Sequence, residues 1–152
     1  MNIHIALWSQ PNFRPINKFY RSQKHKGSAS GNERVFFITD VANEDIIAAV
    51  RLVPHDGFYW LRSLYIKQEH RGQKLGSRLL AYVAQNIKMP IYCFPYDYLL
   101  HFYEQNDYIL LNKSALPQAL ASLFERYISK GQNIICMVAN HQNSTHTGRN
   151  NS

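Results

Sequence analysis

The chain has 152 residues, of which 45% are hydrophobic and 13% aromatic, and its formal net charge is +7. This length suits one domain with a sizeable core, and no apolar run reaches the roughly 20 residues that a membrane-spanning helix needs. The basic residues are spread along the chain without a block of like charges, which favours an anionic small ligand or simple solubility over nucleic-acid binding.

The cysteines and histidines argue against a disulfide framework and a metal centre. Cys93 and Cys136 lie in apolar segments and do not form a Cys-x-x-Cys pair, and the N-terminus does not resemble a signal peptide. We therefore expect two reduced thiols in a cytoplasmic protein. The seven histidines are scattered and none is spaced from a cysteine as zinc ligands are, so no metal is expected.

The first half of the chain reads as a strand, a helix and three further strands. Residues 3–8 form an apolar strand-like run, and Pro15 then opens a helix. The basic, Gly- and Ser-rich residues 24–31 predict a mobile surface loop. Three strands are predicted after it, at residues 35–39, 46–53 and 58–66. Their short connections predict an antiparallel meander.

The second half alternates helices and short strands. Helices are predicted at residues 75–87, in a short segment that Asp97 can cap and that carries Tyr103, and at residues 117–130. Strands are predicted at residues 91–94, 108–111 and 134–138. The strand at residues 91–94 follows a crossover helix, so it should lie parallel to the strand at residues 58–66. The polar composition from residue 140 onward predicts a disordered tail, which leaves residues 1–139 as a single domain.

A basic, glycine-bearing loop connects the strand at residues 58–66 to the helix at residues 75–87. Its sequence is Arg71, Gly72, Gln73, Lys74, Leu75, Gly76 and Ser77. The first turn of a helix leaves backbone N–H groups without intrahelical partners, and the helix dipole adds partial positive charge there. With the charges of Arg71 and Lys74, this segment predicts a cradle for a pyrophosphate.

The order of strand, loop, helix and strand, followed by Phe102-Tyr103-Glu104, resembles the GNAT superfamily of acyl-CoA-dependent N-acyltransferases. The family loop reads Gln/Arg-x-x-Gly-x-Gly/Ala, and here Arg71 and Gly76 fill its first and last positions. Three positions depart from the family pattern: Lys74 replaces a glycine, Tyr96 replaces an asparagine, and Asp107-Tyr108 replaces a Gly-Phe pair. The resemblance implies an α/β (α+β) fold with a mixed, mostly antiparallel sheet, in which a central parallel strand pair splays to hold acyl-CoA.

The resemblance also implies the residues of the site. Backbone groups of Leu64 and Ile66 would pair with the pantetheine arm of acetyl-CoA, and Tyr65 between them belongs to the same cofactor-binding set. Residues 71–77 would hold the pyrophosphate. Tyr103 would donate a proton to the departing thiolate.

The strand at residues 58–66 has no carboxylate to serve as a general base. Asp97, His101, Glu33 and an ordered water stay open as alternatives, and Tyr59 is a candidate for lining the acceptor site. Cys93 lies in mid-strand with no base near it in sequence, which favours an inert thiol over a nucleophile.

Together these features predict an N-acetyltransferase in which a primary amine attacks acetyl-CoA directly in a ternary complex. The acceptor amine is not identified by the sequence, although residues 24–31 and 117–130 are expected to shape its site. One alternative is a catalytically weak module that senses acyl-CoA and binds a protein partner. A third, weaker interpretation is a nucleic-acid-binding domain, suggested by the charge of +7. A membrane partner is not expected, and a homodimer stays open.

Overall fold

The computed structural model describes residues 1–140 of the chain, so the tail predicted from residue 140 onward lies, apart from its first residue, outside the described residues. The strands are β1 (Ile3–Leu7), β2 (Arg34–Asp40), β3 (Asp45–His55), β4 (Phe58–Ile66), β5 (Ile91–Cys93), β6 (Ile109–Leu111) and β7 (Cys136–Ala139). The helices are α1 (Arg14–Ser22), α2 (Leu75–Asn86), α3 (Leu100–Gln105) and α4 (Gln118–Ser129). Short 3-10 turns occur at Gln68–His70, Asp97–Leu99 and Lys113–Ala115.

The strands form a seven-stranded sheet in the order β1-β2-β3-β4-β5-β7-β6. The sheet is mostly antiparallel with one parallel pair, so the predicted mixed α/β architecture is confirmed. Within the described residues the chain divides into two compact units, the first made of Met1–Asp56 and Leu61–Ile87 and the second of Gly57–Trp60 and residues 88–140. Strand β4 contributes its first residues to the second unit and the rest to the first.

In the first unit, the meander has one helix on each face. Residues 35 and 49 point to the face covered by α1, where Ile16, Phe19 and Tyr20 pack against them. Phe36 points to the opposite face, where its ring contacts Tyr82 of α2, with 5.9 Å between the ring centroids. This division follows from the two-residue side-chain period of a strand. The register of β2 and β3 pairs Val35 with Arg51, which therefore also lies on the α1 face.

In the second unit, aromatic side chains pack on the short strands. Phe94 lies against Phe124 of α4, with 5.1 Å between the ring centroids, and a core cluster joins Phe124 to Leu116 and Cys136. Strand β7 lies between β5 and β6 and is antiparallel to both. At the start of β4, the Tyr59 N–H donates to the Pro90 carbonyl at 2.9 Å.

The predicted elements are all present, and the ends of the strands and long helices differ from those predicted by at most two residues. One local prediction is wrong: Asp97 does not cap a helix. Tyr96 is the N-cap of the 3-10 turn Asp97–Leu99, and no side chain caps that turn. The backbone closes the turn by itself, since the Leu99 N–H donates to the Tyr96 carbonyl at 2.9 Å.

Candidate active site

The predicted phosphate loop leaves β4 at Ile66 and enters α2 at Leu75. Residues 71–74 are exposed, whereas Leu75 and Gly76 are buried in the first turn of α2. The first hydrogen bond of the helix runs from the Arg78 N–H to the Lys74 carbonyl at 3.1 Å. The hydrogen bonds within the helix therefore begin at Arg78. The backbone N–H groups before Arg78 are placed as they are at helix N-termini that bind anions.

Arg71 is held at the base of this loop by β4. Its Nε donates to the Ile66 carbonyl at 3.0 Å, and its guanidinium carbon lies 5.0 Å from the centroid of the Tyr65 ring. A hydrogen bond and a cation–π contact together orient the guanidinium. The residue stays exposed, so its remaining N–H groups are available to a ligand.

Lys74 adopts the left-handed backbone conformation, with φ 62° and ψ 23°. This is the left-handed region that favours glycine, rather than the right-handed helical region that most residues prefer. The family's glycine preference at this position thus has a conformational reason, and Lys74 meets it at a cost of about 1–2 kcal/mol. Asp107, which also replaces a family glycine, takes the same region, with φ 70°.

The second half of β4 carries the residues expected to meet the pantetheine arm. Leu64, Tyr65 and Ile66 are all half-buried. Just before them, Ser63 has φ 57°, an unusual left-handed residue within a strand. The Tyr20 hydroxyl donates to the Ser63 carbonyl at 2.8 Å, which helps to hold this conformation.

A buried charge pair lies on the α1 face beside Ser63. Arg51 donates to both carboxylate oxygens of Glu33, from Nε at 2.8 Å and from Nη2 at 2.9 Å, and its Nη1 donates to the Ser63 Oγ at 3.0 Å. The Arg51 side chain is 6% exposed and that of Glu33 is 9% exposed. Arg51 is not among the site residues predicted from the sequence, although an arginine inside an apolar strand signals a buried charge that needs a partner. Both carboxylate oxygens of Glu33, one of the candidate bases, accept hydrogen bonds from Arg51.

Residues 24–31, predicted to be a mobile surface loop, are anchored to the first unit. Ala29 is buried, and its N–H and carbonyl bond to the Asn17 side chain at 2.7 and 3.0 Å. The His25 ring lies between Tyr20 and Tyr65, at 5.1 and 5.4 Å between ring centroids. The sequence gives no direct sign of this anchoring, because it depends on residues far along the chain.

Tyr103 lies in α3 of the second unit and is 5% exposed. Its ring makes edge-on contacts with Phe102 and Tyr108, at 5.1 and 5.4 Å between centroids. Burial raises the pKa of the Tyr103 phenol above its ordinary value of 10.0, and Cys93 adds to the rise. A phenol is protonated at neutral pH even with its ordinary pKa, so this rise leaves the protonation state unchanged and makes the Tyr103 phenol a weaker acid.

The other titratable candidates of the second unit differ in exposure. The His101 side chain is 91% exposed, and its Nδ1 lies 3.5 Å from the Glu104 carboxylate, which is the setting of a surface residue rather than of a catalytic base. Cys93 is buried, and burial raises the pKa of its thiol well above the ordinary value. A thiol in this environment is a poor nucleophile.

Across residues 1–140, no three His, Cys, Asp or Glu side chains group in a way that would hold a metal ion. In the same part of the chain, no helix combines the length and apolar character needed to cross a membrane.

The fold is similar to several solved structures. A GNAT-family acetyltransferase from Staphylococcus aureus Mu50 has a TM-score of 0.66 at 15% identity, covering 92% of this chain and 99% of that one. N-acetylglutamate synthase from Neisseria gonorrhoeae, solved with coenzyme A and N-acetyl-glutamate, has a TM-score of 0.66 at 12% identity, covering 91% of this chain and 35% of that one. An aminoglycoside 6'-N-acetyltransferase complexed with coenzyme A has a TM-score of 0.63 at 14% identity, covering 91% and 97%. At these identities the likeness concerns the fold.

Sequence comparison supplies the family. No match was found among curated protein sequences. A family model described as an acetyltransferase (GNAT) domain matches residues 31–110, which is more than half of the chain and includes the whole phosphate loop. The chain therefore belongs to the GNAT acetyltransferase family.

Proposed function

We propose that the chain is an N-acetyltransferase that transfers the acetyl group of acetyl-CoA to a primary amine by direct attack in a ternary complex. The observation that carries this proposal is the loop from Arg71 to Ser77. Its backbone takes the glycine-like conformation at Lys74, and its two cations are exposed at the start of α2.

The residues present suit a pyrophosphate-bearing acyl donor. Arg71 is oriented by Ile66 and Tyr65, Lys74 places an ammonium group beside the first helical turn, and Gly76 adds no side chain there. The proposed binding set is completed by seven further residues of β4 and the loop: Leu64, Tyr65, Ile66, Gly72, Gln73, Leu75 and Ser77. Acetyl-CoA would supply a thioester carbonyl as the acyl donor.

Tyr103 is proposed as the donor to the departing thiolate. Its phenol carries a proton at neutral pH, and the packing of its ring against Phe102 and Tyr108 fixes the position of the ring. A fixed donor lowers the barrier by stabilising charge that develops as the C–S bond breaks.

Calorimetric titration of acetyl-CoA tests the proposed loop. The variants are Gly76→Glu, which adds a carboxylate in the first turn of α2, and Lys74→Glu, which reverses an exposed charge without touching the core. Gln132→Glu adds the same charge at an exposed position in the second unit and serves as the control. We expect both loop variants to bind at least tenfold more weakly and the control to bind as wild type does. Equal affinity for all four proteins would remove the loop from the proposal.

Turnover is tested separately by following thiol release with three kinds of amine: free amino acids, a peptide N-terminus and a lysine side chain. Release with any of them supports the transferase proposal. The second candidate function is an acyl-CoA-sensing module without turnover. It is favoured by the lack of a carboxylate to act as general base, because Glu33 is bound by Arg51 and β4 contains no Asp or Glu. Acetyl-CoA binding without thiol release from any amine would favour the sensor.

A further inference from the structure

His25 occupies a defined place on the α1 face. Its backbone N–H donates to the Tyr20 carbonyl at 2.9 Å, which fixes the start of the loop at the end of α1. Its half-buried ring is held between the Tyr20 and Tyr65 rings. The imidazole is therefore positioned by both the backbone and the neighbouring rings.

Gly27 allows the loop to approach the buried charge pair closely. A Cβ at this position would lie 2.6 Å from the Ser63 Oγ, 2.9 Å from the His25 Nε2 and 3.0 Å from the Arg51 Nη1. These distances are shorter than ordinary contacts, so any side chain at residue 27 would displace one of these groups. The absence of a side chain at Gly27 keeps the His25 Nε2 close to the polar groups of β3 and β4.

The charged and titratable groups around His25 favour the neutral imidazole. The pKa of His25 is lowered by burial, and the positive charges of Arg51 and Arg62 lower it further. The Tyr20 and Tyr65 hydroxyls donate to the carbonyls of Ser63 and Gln23, so neither phenol proton is given to the imidazole. The Glu33 carboxylate is bound by Arg51, which leaves no acidic group among those that set this pKa.

We propose that His25 is the general base that takes a proton from the acceptor amine. The assignment rests on the proposed function, because it places the acyl donor along Tyr65, and His25 contacts Tyr65 directly. A primary amine is protonated at neutral pH, with a pKa of about 8 at a peptide N-terminus and about 10.4 on lysine, so it must lose a proton before it attacks.

The proton movements balance over one turnover. His25 takes one proton from the ammonium group, and the neutral amine forms the C–N bond to the acetyl carbon. As the C–S bond breaks, the thiolate receives the proton assigned to Tyr103. The amine loses a second proton as the amide forms, and this proton returns to the Tyr103 oxygen through solvent. His25 releases the proton that it took from the ammonium group to water.

The experiment compares His25→Gln with wild type and with His101→Gln, an exposed histidine on α3. We expect kcat/KM for a lysine-type amine to fall about a hundredfold in His25→Gln, in the range typical of general bases. The inflection of the pH profile that follows the titration of His25, below pH 6.5, should disappear in this variant and leave only the rise set by the pKa of the amine. The acetyl-CoA Kd should stay within about twofold, and His101→Gln should match wild type. His25→Ala opens a gap between two tyrosine rings, and added imidazole should restore part of its activity.

Each other outcome has a distinct meaning. A His25→Gln protein that keeps the wild-type pH profile would overturn the general base and leave the proposed transferase intact. A uniform loss of activity with no change in the profile and no rescue of His25→Ala by imidazole would assign His25 a structural role instead. No turnover by wild type with any amine would overturn the transferase proposal and this assignment together.

Discussion

Arg51 and Glu33 form a two-point ion pair inside the first unit, with donor distances of 2.8 and 2.9 Å. Since the same guanidinium also reaches the Ser63 Oγ at 3.0 Å, one side chain of β3 joins the segment before β2 to the unusual residue of β4. The pair also holds a carboxylate that would otherwise be available as a base. The effect of the pair on the free energy of unfolding can be measured separately from its effect on catalysis.

Arg51→Met should lower the free energy of unfolding by about 3–5 kcal/mol, because it leaves the Glu33 carboxylate buried without its partner. The double variant Glu33→Gln/Arg51→Met should recover a large part of this loss, since the charge is then gone. Urea denaturation of the single and double variants measures both effects. A loss below about 1 kcal/mol in Arg51→Met would mean that the pair contributes no more to the free energy of unfolding than an ordinary surface ion pair does.

Lys74→Gly and Lys74→Gln separate conformation from charge in the phosphate loop. Glycine should raise the free energy of unfolding by up to about 1 kcal/mol because the left-handed conformation then costs less, whereas glutamine should leave it unchanged. Both variants lose the ammonium group, so both should bind acetyl-CoA about two- to fivefold more weakly at low salt. Denaturation and calorimetry provide the two readouts. An unchanged Kd for Lys74→Gln would mean that the ammonium group does not contact the ligand.

Tyr103→Phe should lower kcat by about 10–100-fold with little change in the acetyl-CoA Kd, because it removes a donor needed only as the thiolate departs. The phenyl ring keeps its contacts with Phe102 and Tyr108, so the fold should hold. Tyr108→Phe removes a second buried phenol from the same cluster and is the matched control. Equal kcat values for wild type and Tyr103→Phe would withdraw the proton-donor role.

The pH dependence of stability should report on His25. Its pKa in the folded chain is lowered below the ordinary value of 6.5, so between the lowered value and 6.5 the unfolded chain binds more protons than the folded chain. The free energy of unfolding therefore rises with pH through this window, and the contribution is fully present above pH 6.5 and lost as the pH falls below it.

Thermal unfolding of wild type and His25→Gln at about pH 7.5 and about pH 5.5 measures this contribution. The drop in Tm between the two conditions should be smaller in His25→Gln than in wild type. His101→Gln, which changes an exposed histidine, should behave as wild type does. Parallel pH profiles for all three proteins would show that His25 has no perturbed titration in the folded state.

Local patterns were enough for most of the architecture. Strand β4 was predicted with the bounds that the structure has, and the helix carrying Leu75, Leu79 and Val83 was predicted to within one residue. Hydrophobic periodicity and turn residues act over a few positions, so they can be read without knowledge of the fold. The cap assigned to Asp97 was wrong because a backbone hydrogen bond closes that turn instead.

The sequence by itself determined the order of elements, the basic loop from Arg71 to Ser77 and the resemblance to an acyltransferase family, because each depends on neighbouring residues. Only the tertiary structure decided that Lys74 takes a left-handed conformation, that Arg51 joins Glu33 to Ser63, and that His25 lies against Tyr65. These contacts connect residues 12–40 positions apart in the chain. Their existence depends on strand register and on which face each side chain occupies, which no local pattern encodes.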